Sequence, residues 1–147
     1  MASNWPTPDV GRIPANNFAC FCSGVGSHQA INPFERRSDT EPSIGRAIAT
    51  KLATEGCDVA VNYYNSAEEA EALCAELRAM GRRAVALQGS VGIPDSVDEI
   101  FAAFGAHFDR LDIIVSNAAS GVLKPTVEMT LKHWRWCLET NALALNL

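Results

Sequence analysis

Four small groups of polar residues stand at places where a ligand could be held. The most telling lies in residues 111–121, LDIIVSNAASG, where a short apolar run stops at a small, amide-bearing turn. Such a run reads as a strand buried on both faces, as in a parallel sheet. Ligands bind such sheets outside the carboxyl ends of the strands, so Asn117, Ala118, Ala119, Ser120 and Gly121 fall where a site would be. Asn62 and Tyr63 end a second run, DVAVNYY, and Ser90 with Val91 follow a third, RAVALQ. Asn141 lies in the segment TLKHWRWCLETNALALNL, on the face that carries Trp134, Leu138 and Leu145. An amide on an apolar face needs partners, because unpaired burial is costly. His28, His107 and His133 are scattered and fit no triad or zinc spacing, so they read as surface residues.

The elements that must position these groups are regular from Ile44 onward. Apolar residues at 44, 47, 48 and 52 make one helical face, and Gly56 suits the residue after the helix. Residues 58–64 read as a strand. Ser66 with Glu69 has the spacing of a capping box, and the helix it opens runs to Met80 with Gly81 as its stop. Residues 83–88 form another strand. Pro94 opens a helix with Asp95, Asp98 and Glu99 near its positive end and a core face of Val97, Phe101, Phe104 and Phe108. A strand over 112–116, a loop, and a helix from about Thr130 to the last residue complete the pattern. Strands alternating with helices imply right-handed βαβ units, a parallel sheet and helices on both faces. Residues 1–17, with Pro6, Pro8 and Pro14, read as an irregular lead-in. FACFC, residues 18–22, suits a short buried strand, whereas residues 25–42 show neither period and read as loop.

Bulk properties narrow the function. A chain of 147 residues with 48% hydrophobic and 20% charged residues fits one soluble domain with a sizeable core. A net charge of −5 argues against a general nucleic-acid binder, which needs a basic face. No apolar run is long enough to span a bilayer, and the first residues lack a secretory layout. Five cysteines without paired CxxC spacing read as reduced thiols of a cytoplasmic protein, with neither a disulfide framework nor structural zinc. A receiver-like or flavodoxin-like α/β domain is the weaker reading, since no acidic cluster stands at the strand ends to hold Mg²⁺.

The segment SIGRAIATKLATEGCDVAVNYYNS, together with Asn117-Ala118-Ala119, resembles the short-chain dehydrogenase/reductase family over about residues 43–147. Ala119 replaces the usual glycine of the Asn-Ala-Gly motif. The resemblance implies an α/β domain, a partial Rossmann fold: a parallel sheet of strand order 3-2-1-4 with helices on both faces, ending after the fourth βα unit. It implies a nicotinamide dinucleotide cofactor. The absence of a carboxylate at the end of residues 58–64 favours NADP over NAD, because no anion there repels a 2′-phosphate. It also implies that Ser90 and Val91 meet the adenine, that the backbone of Asn117, Ala118 and Ala119 lies beside the ribose, and that Asn141 belongs to the catalytic tetrad. NAASGVLKPTVEMTLKHWRW is similar to a subgroup that includes enoyl- and 3-oxoacyl-acyl-carrier-protein reductases, which implies a carbonyl or enoyl thioester as the small-molecule substrate. Full-length relatives are expected to form homo-oligomers through the C-terminal helix.

The phosphate turn departs from the family pattern Thr-Gly-x-x-x-Gly-x-Gly. In direct register only Gly45 survives. If residues 25–39 are an insertion, FACFC becomes the first strand, Ser23-Gly24 stands for Thr-Gly, and Thr40-Glu41-Pro42-Ser43-Ile44-Gly45 completes the spacing. On the other reading FACFC is a chance apolar patch and there is no first strand. The family's chemistry also needs a Ser and a Tyr-x-x-x-Lys pair, the lysine lowering the tyrosine's pKa. Here Tyr63 and Tyr64 are followed four residues on by Ala67 and Glu68. The expectation is therefore a truncated reductase: residues 18–147 are the cofactor-binding half of the domain, inactive alone. The alternative is a non-catalytic dinucleotide-binding or dimerising module.

Overall fold

A computed structural model describes residues 18–23 and 43–147. The lead-in 1–17, Gly24 and residues 25–39 lie outside the described residues. The elements are β1 (Ala19–Cys22), α1 (Ile44–Thr54), β2 (Asp58–Tyr63), α2 (Ala67–Ala79), β3 (Ala84–Gln88), α3 (Pro94–Gly105), β4 (Ile113–Val115) and α4 (Leu131–Leu138). The four strands form one parallel sheet in the order β3-β2-β1-β4. Ala19–Cys22 of FACFC is thus a strand, seated between β2 and β4, with Cys20 opposite both Val59 and Ile113.

The period of two along β1 decides which helices it meets. Cys20 and Cys22 face one side, where Val59 and Val61 of β2 pack with Ala49 and Ala53 of α1 and with Ala70, Leu73, Cys74 and Leu77 of α2. Ala19 and Phe21 face the other, against Ile100 and Phe104 of α3 and Phe108 beyond it. The phenylalanines 21, 101, 104 and 108 form a chain of ring contacts 5.0–6.5 Å between centroids. Each fully buried leucine contributes about 1.5–3 kcal/mol of transfer free energy. The α3 face differs by one residue from the sequence reading: Ile100 is buried with Val97 and Phe104, while Phe101 is half-buried.

Local signals place the ends. Ser43 caps α1 by accepting from the Arg46 N–H at 3.2 Å. Gly56 and Gly81 take φ of +101° and +79° after α1 and α2, values that disfavour a side chain. The expected box at Ser66 does not form: the Ser66 hydroxyl makes no capping hydrogen bond, and its ψ of 60° turns it away from the helix end. The reciprocal box forms at α4 instead, where Thr130 Oγ1 accepts from the His133 N–H and His133 Nδ1 accepts from the Thr130 N–H. His133, read as a surface residue, is not buried and also caps α4.

The last helix also departs from expectation. It is α-helical only to Leu138, then widens into a π-turn over Glu139–Leu143 and closes with a 3₁₀ turn over Ala144–Asn146. No residue of α4 or of these turns is buried. Among the described residues no helix is long and apolar enough to cross a membrane, and no group of three or more His, Cys, Asp or Glu could hold a metal ion.

Candidate functional site

The carboxyl ends of the four strands carry most of the residues singled out above. Ser23, just past β1, is buried, and its hydroxyl joins two strands. It donates to the Val115 carbonyl at 3.2 Å and accepts from the N–H groups of Asn117 at 3.0 Å and Ala118 at 3.2 Å. The Ser23 N–H also donates to the Val115 carbonyl, at 3.0 Å. One hydroxyl therefore shapes the turn after β4, and an alanine there would leave two N–H groups without their acceptor.

Asn62 plays the matching part between β2 and β3. It is buried, and its Nδ2 donates to the carbonyls of Leu87 at 3.1 Å and Gly89 at 3.2 Å. Its Nδ2 is therefore committed to the β3 exit, beside the half-buried Tyr63 and the exposed Tyr64. Ser90 is fixed next door: its N–H donates to Ser96 Oγ at 2.8 Å. Ser90 and Val91 are both half-buried. Gly89 is required by space, since a Cβ there would sit 2.5 Å from the Ile100 side chain and 2.9 Å from Ser96 Oγ. Gly45 is buried in the first turn of α1, beside the exposed Ile44.

Asn141 comes to the same end of the sheet from the π-turn. It is exposed rather than set in an apolar surface, and its partners are on the backbone. Its Oδ1 accepts from the Ser120 N–H and its Nδ2 donates to the Ser120 carbonyl, both at 2.7 Å. Ser120 Oγ in turn donates to the Trp136 carbonyl at 3.2 Å. A π-turn inside a helix leaves carbonyls without their usual partner and is frequent at functional sites. Here it brings Asn141 against the loop that follows Asn117, Ala118 and Ala119. Sequence reading placed Ser120 at the site but missed Ser96, Gly89 and Gly92 as members of this assembly. The close spacing of Gly89 and Gly92 around Ser90 was the available signal.

The opposite end of the sheet is tied by ion pairs and hydrogen bonds. Asp58 is buried and accepts from the Arg83 N–H at 2.8 Å and Nε at 2.7 Å. Asp112 accepts from the Ala19 N–H at 2.9 Å and pairs with Arg110. Arg82 and Arg83 donate to the carbonyls of Gly56 and His107, at 3.0 and 3.3 Å, next to the negative ends of α1 and α3.

The family model described as short chain dehydrogenase matches residues 41–146. The chain belongs to the short chain dehydrogenase family. A hydroxynaphthalene reductase of Aspergillus fumigatus is 37% identical over 101 residues, covering 69% of this chain and 37% of the relative. The 3-oxoacyl-(acyl-carrier-protein) reductase FabG of Staphylococcus epidermidis is 39% identical over 100 residues, covering 67% of this chain and 40% of the relative. Among solved structures, a blue fluorescent protein from a metagenomic library, in complex with NADPH, superposes with a TM-score of 0.71 at 29% identity, over 88% of this chain and 47% of that one. A short chain dehydrogenase of Burkholderia cenocepacia in complex with NADP gives 0.67 at 32% identity, over 90% and 48%. The chain thus spans about two fifths of the length of these curated relatives. The family match starts after β1, so the first strand of this short chain dehydrogenase sheet is identified by its pairing with β2 and β4 rather than by the match.

Proposed function

We propose that this chain is the dinucleotide-binding half of a short chain dehydrogenase and takes NADP(H) at the carboxyl ends of its strands, with NAD as the weaker ligand. The observation that carries the reading is the pair of buried polar staples, Ser23 on the Asn117–Ala118 turn and Asn62 on the Leu87 and Gly89 carbonyls. They hold the β3 and β4 exits in fixed shape beside the β1 exit, which is where a doubly wound sheet receives a dinucleotide. Ser90 and Val91 would meet the adenine, the backbone of Asn117, Ala118 and Ala119 the ribose, and Gly24, Ile44 and Gly45 the pyrophosphate beside the start of α1. Tyr63 and Tyr64 offer no carboxylate to repel a 2′-phosphate. The NADPH and NADP complexes of the two similar solved structures support this choice. When bound, the reduced nicotinamide would supply the hydride.

Asn141 is the residue on this chain assigned to the catalytic side. The 147 residues hold no Tyr-x-x-x-Lys, so the proton donor and the chemistry toward a carbonyl or enoyl group, such as an acyl thioester, are not supplied by this half. The 3-oxoacyl relative supports that substrate class. A reducing, cytoplasmic setting fits the five unpaired cysteines. Residues 25–39 are proposed to be foreign to the fold, because removing them restores strand, turn and helix in register. A mature transcript that keeps this block, with no shorter form, rejects that idea.

Titration of the purified chain with NADPH and NADH, followed by nicotinamide fluorescence, tests the cofactor reading. Saturable binding tighter for NADPH is expected; no change at millimolar NADPH overturns it. The second reading, a dimerising module, is favoured by α4, whose Leu131, Trp134, Trp136 and Leu138 are exposed. It predicts concentration-dependent dimers in sedimentation, and a monodisperse monomer rejects it.

A further inference from the structure

The β3–α3 loop and the π-turn meet at one residue, Gly92. It is buried, and a Cβ built on it would lie 3.2 Å from the backbone nitrogen of Thr140, 3.2 Å from Thr140 Oγ1 and 3.3 Å from the Glu139 carbonyl carbon. Two of those neighbours are backbone, which cannot swing aside as a side chain can. On one side of this contact stand Ser90 and Val91, anchored through Ser96 and, by way of Gly89, through Asn62. On the other stands Asn141, whose amide grips Ser120. No residue of α4 is buried, so the helix is located by this contact and by the Ser120 clamp rather than by a packed face.

We infer that Gly92 is a positioning residue: its missing side chain lets the adenine-side loop seat the π-turn, and so sets Asn141 on the Ser120 backbone. The proposal deepens the reading of Asn141 as the catalytic-side residue and rests on it. The mechanism is steric. A methyl at residue 92 must push the π-turn back by a few tenths of an ångström, and α4 gives way because nothing buried resists it. Asn141 then moves off Ser120 while the sheet and the α1–α2 core stay as they are.

The test uses Gly92→Ala and Gly92→Val in the full chain, with Asn141→Ala as reference. Amide hydrogen exchange is read at Ser120 and at the core amides of Val59 and Val61, and the Asn141 side-chain amide resonance reports its bond to Ser120. Exchange at Ser120 should rise about threefold in the alanine variant and about tenfold in the valine variant, approaching Asn141→Ala, with the core amides unchanged. The Asn141 side-chain resonance should move toward its solvent-exposed position in the same order. Unchanged Ser120 exchange in both variants overturns the proposal, and so does parallel acceleration at Val59 and Val61, which means general loosening. If the valine variant does not fold, the alanine variant decides alone. None of these readouts needs a bound nucleotide. A chain that fails to bind NADPH therefore sinks the cofactor reading without deciding this one.

Discussion

Leu73 and Trp134 are both large apolar residues on helices that follow parallel strands, yet Leu73 is fully buried and Trp134 is 53% exposed. The difference runs through the whole molecule. In the half built from β1, β2, β3, α1 and α2, every strand of the α/β core has a helix over it. In the half built from β4 and α4, Ile114 is exposed on the sheet and α4 buries nothing. A βα unit gains its stability only when the next unit covers it. One half meets that condition and the other lacks a cover among the described residues.

The sharpest way to break this comparison is substitution on its two sides. Leu73→Ala or Leu77→Ala should destabilise the chain by about 2–5 kcal/mol, since each leaves a cavity in a closed core. Trp134→Ala should change global stability by about 0.5 kcal/mol or less. Urea unfolding of the three variants measures both. A large loss from Trp134→Ala would mean that the face of α4 is covered in solution, and its dependence on protein concentration would show whether a second copy covers it.

The staple between the halves comes next in size. Ser23→Ala removes the acceptor of two N–H groups and a donor to Val115, at an expected cost of about 1–3 kcal/mol. NADPH affinity should fall more than stability, because the turn after β4 loses its shape. Equal affinity in wild type and variant would remove Ser23 from the site.

Alkaline pH bears on the buried thiols of the closed half. Burial pushes the Cys74 thiol up to about 11 and the Cys22 thiol up to about 12, the latter helped by repulsion from Cys57. Burial, reinforced by a hydrogen bond with Cys57, raises Cys20 as well. The folded chain holds these protons to higher pH than the unfolded chain does. Stability is therefore fully present below the ordinary thiol value near 9 and falls as pH rises from there toward 12. Thermal melts between pH 8 and pH 11 should show this fall. Cys22→Ala and Cys74→Ala should flatten it. A melting temperature flat over that range would overturn the assignment.

Much of this contrast was legible in the sequence. Periodicity located α1, β2, α2, β3, α3 and β4 to within a residue or two, because in the closed half local preference and burial agree. FACFC stays open between a strand and a chance patch, since five residues carry too little pattern; only pairing on both edges decides it. The reading of the last helix erred for a related reason. TLKHWRWCLETNALALNL has helical spacing throughout, but the helix widens at Glu139, where it meets Gly92 and Ser120 in contacts that no local pattern announces. Ser23 was singled out as a stand-in for a phosphate-turn threonine, and its described partners lie on the β4 side.

The smallest expected effects separate a motif from an interaction. Ser66-x-x-Glu69 has the spacing of a capping box, whereas Ser43 precedes α1 without one, yet the hydroxyl that caps is Ser43. Ser43→Ala should cost about 1 kcal/mol of global stability, because α1 belongs to the closed half and its first turn would lose an acceptor. Ser66→Ala should cost a few tenths at most, since no hydrogen bond is removed. Thr130→Ala breaks a complete box on α4 but should leave the global unfolding midpoint nearly unchanged and speed exchange only within α4. A cap stabilises the whole chain only when its helix is tied to the core. If Thr130→Ala lowered the midpoint as much as Ser43→Ala, the two halves would unfold as one, and the contrast between them would concern exposure alone.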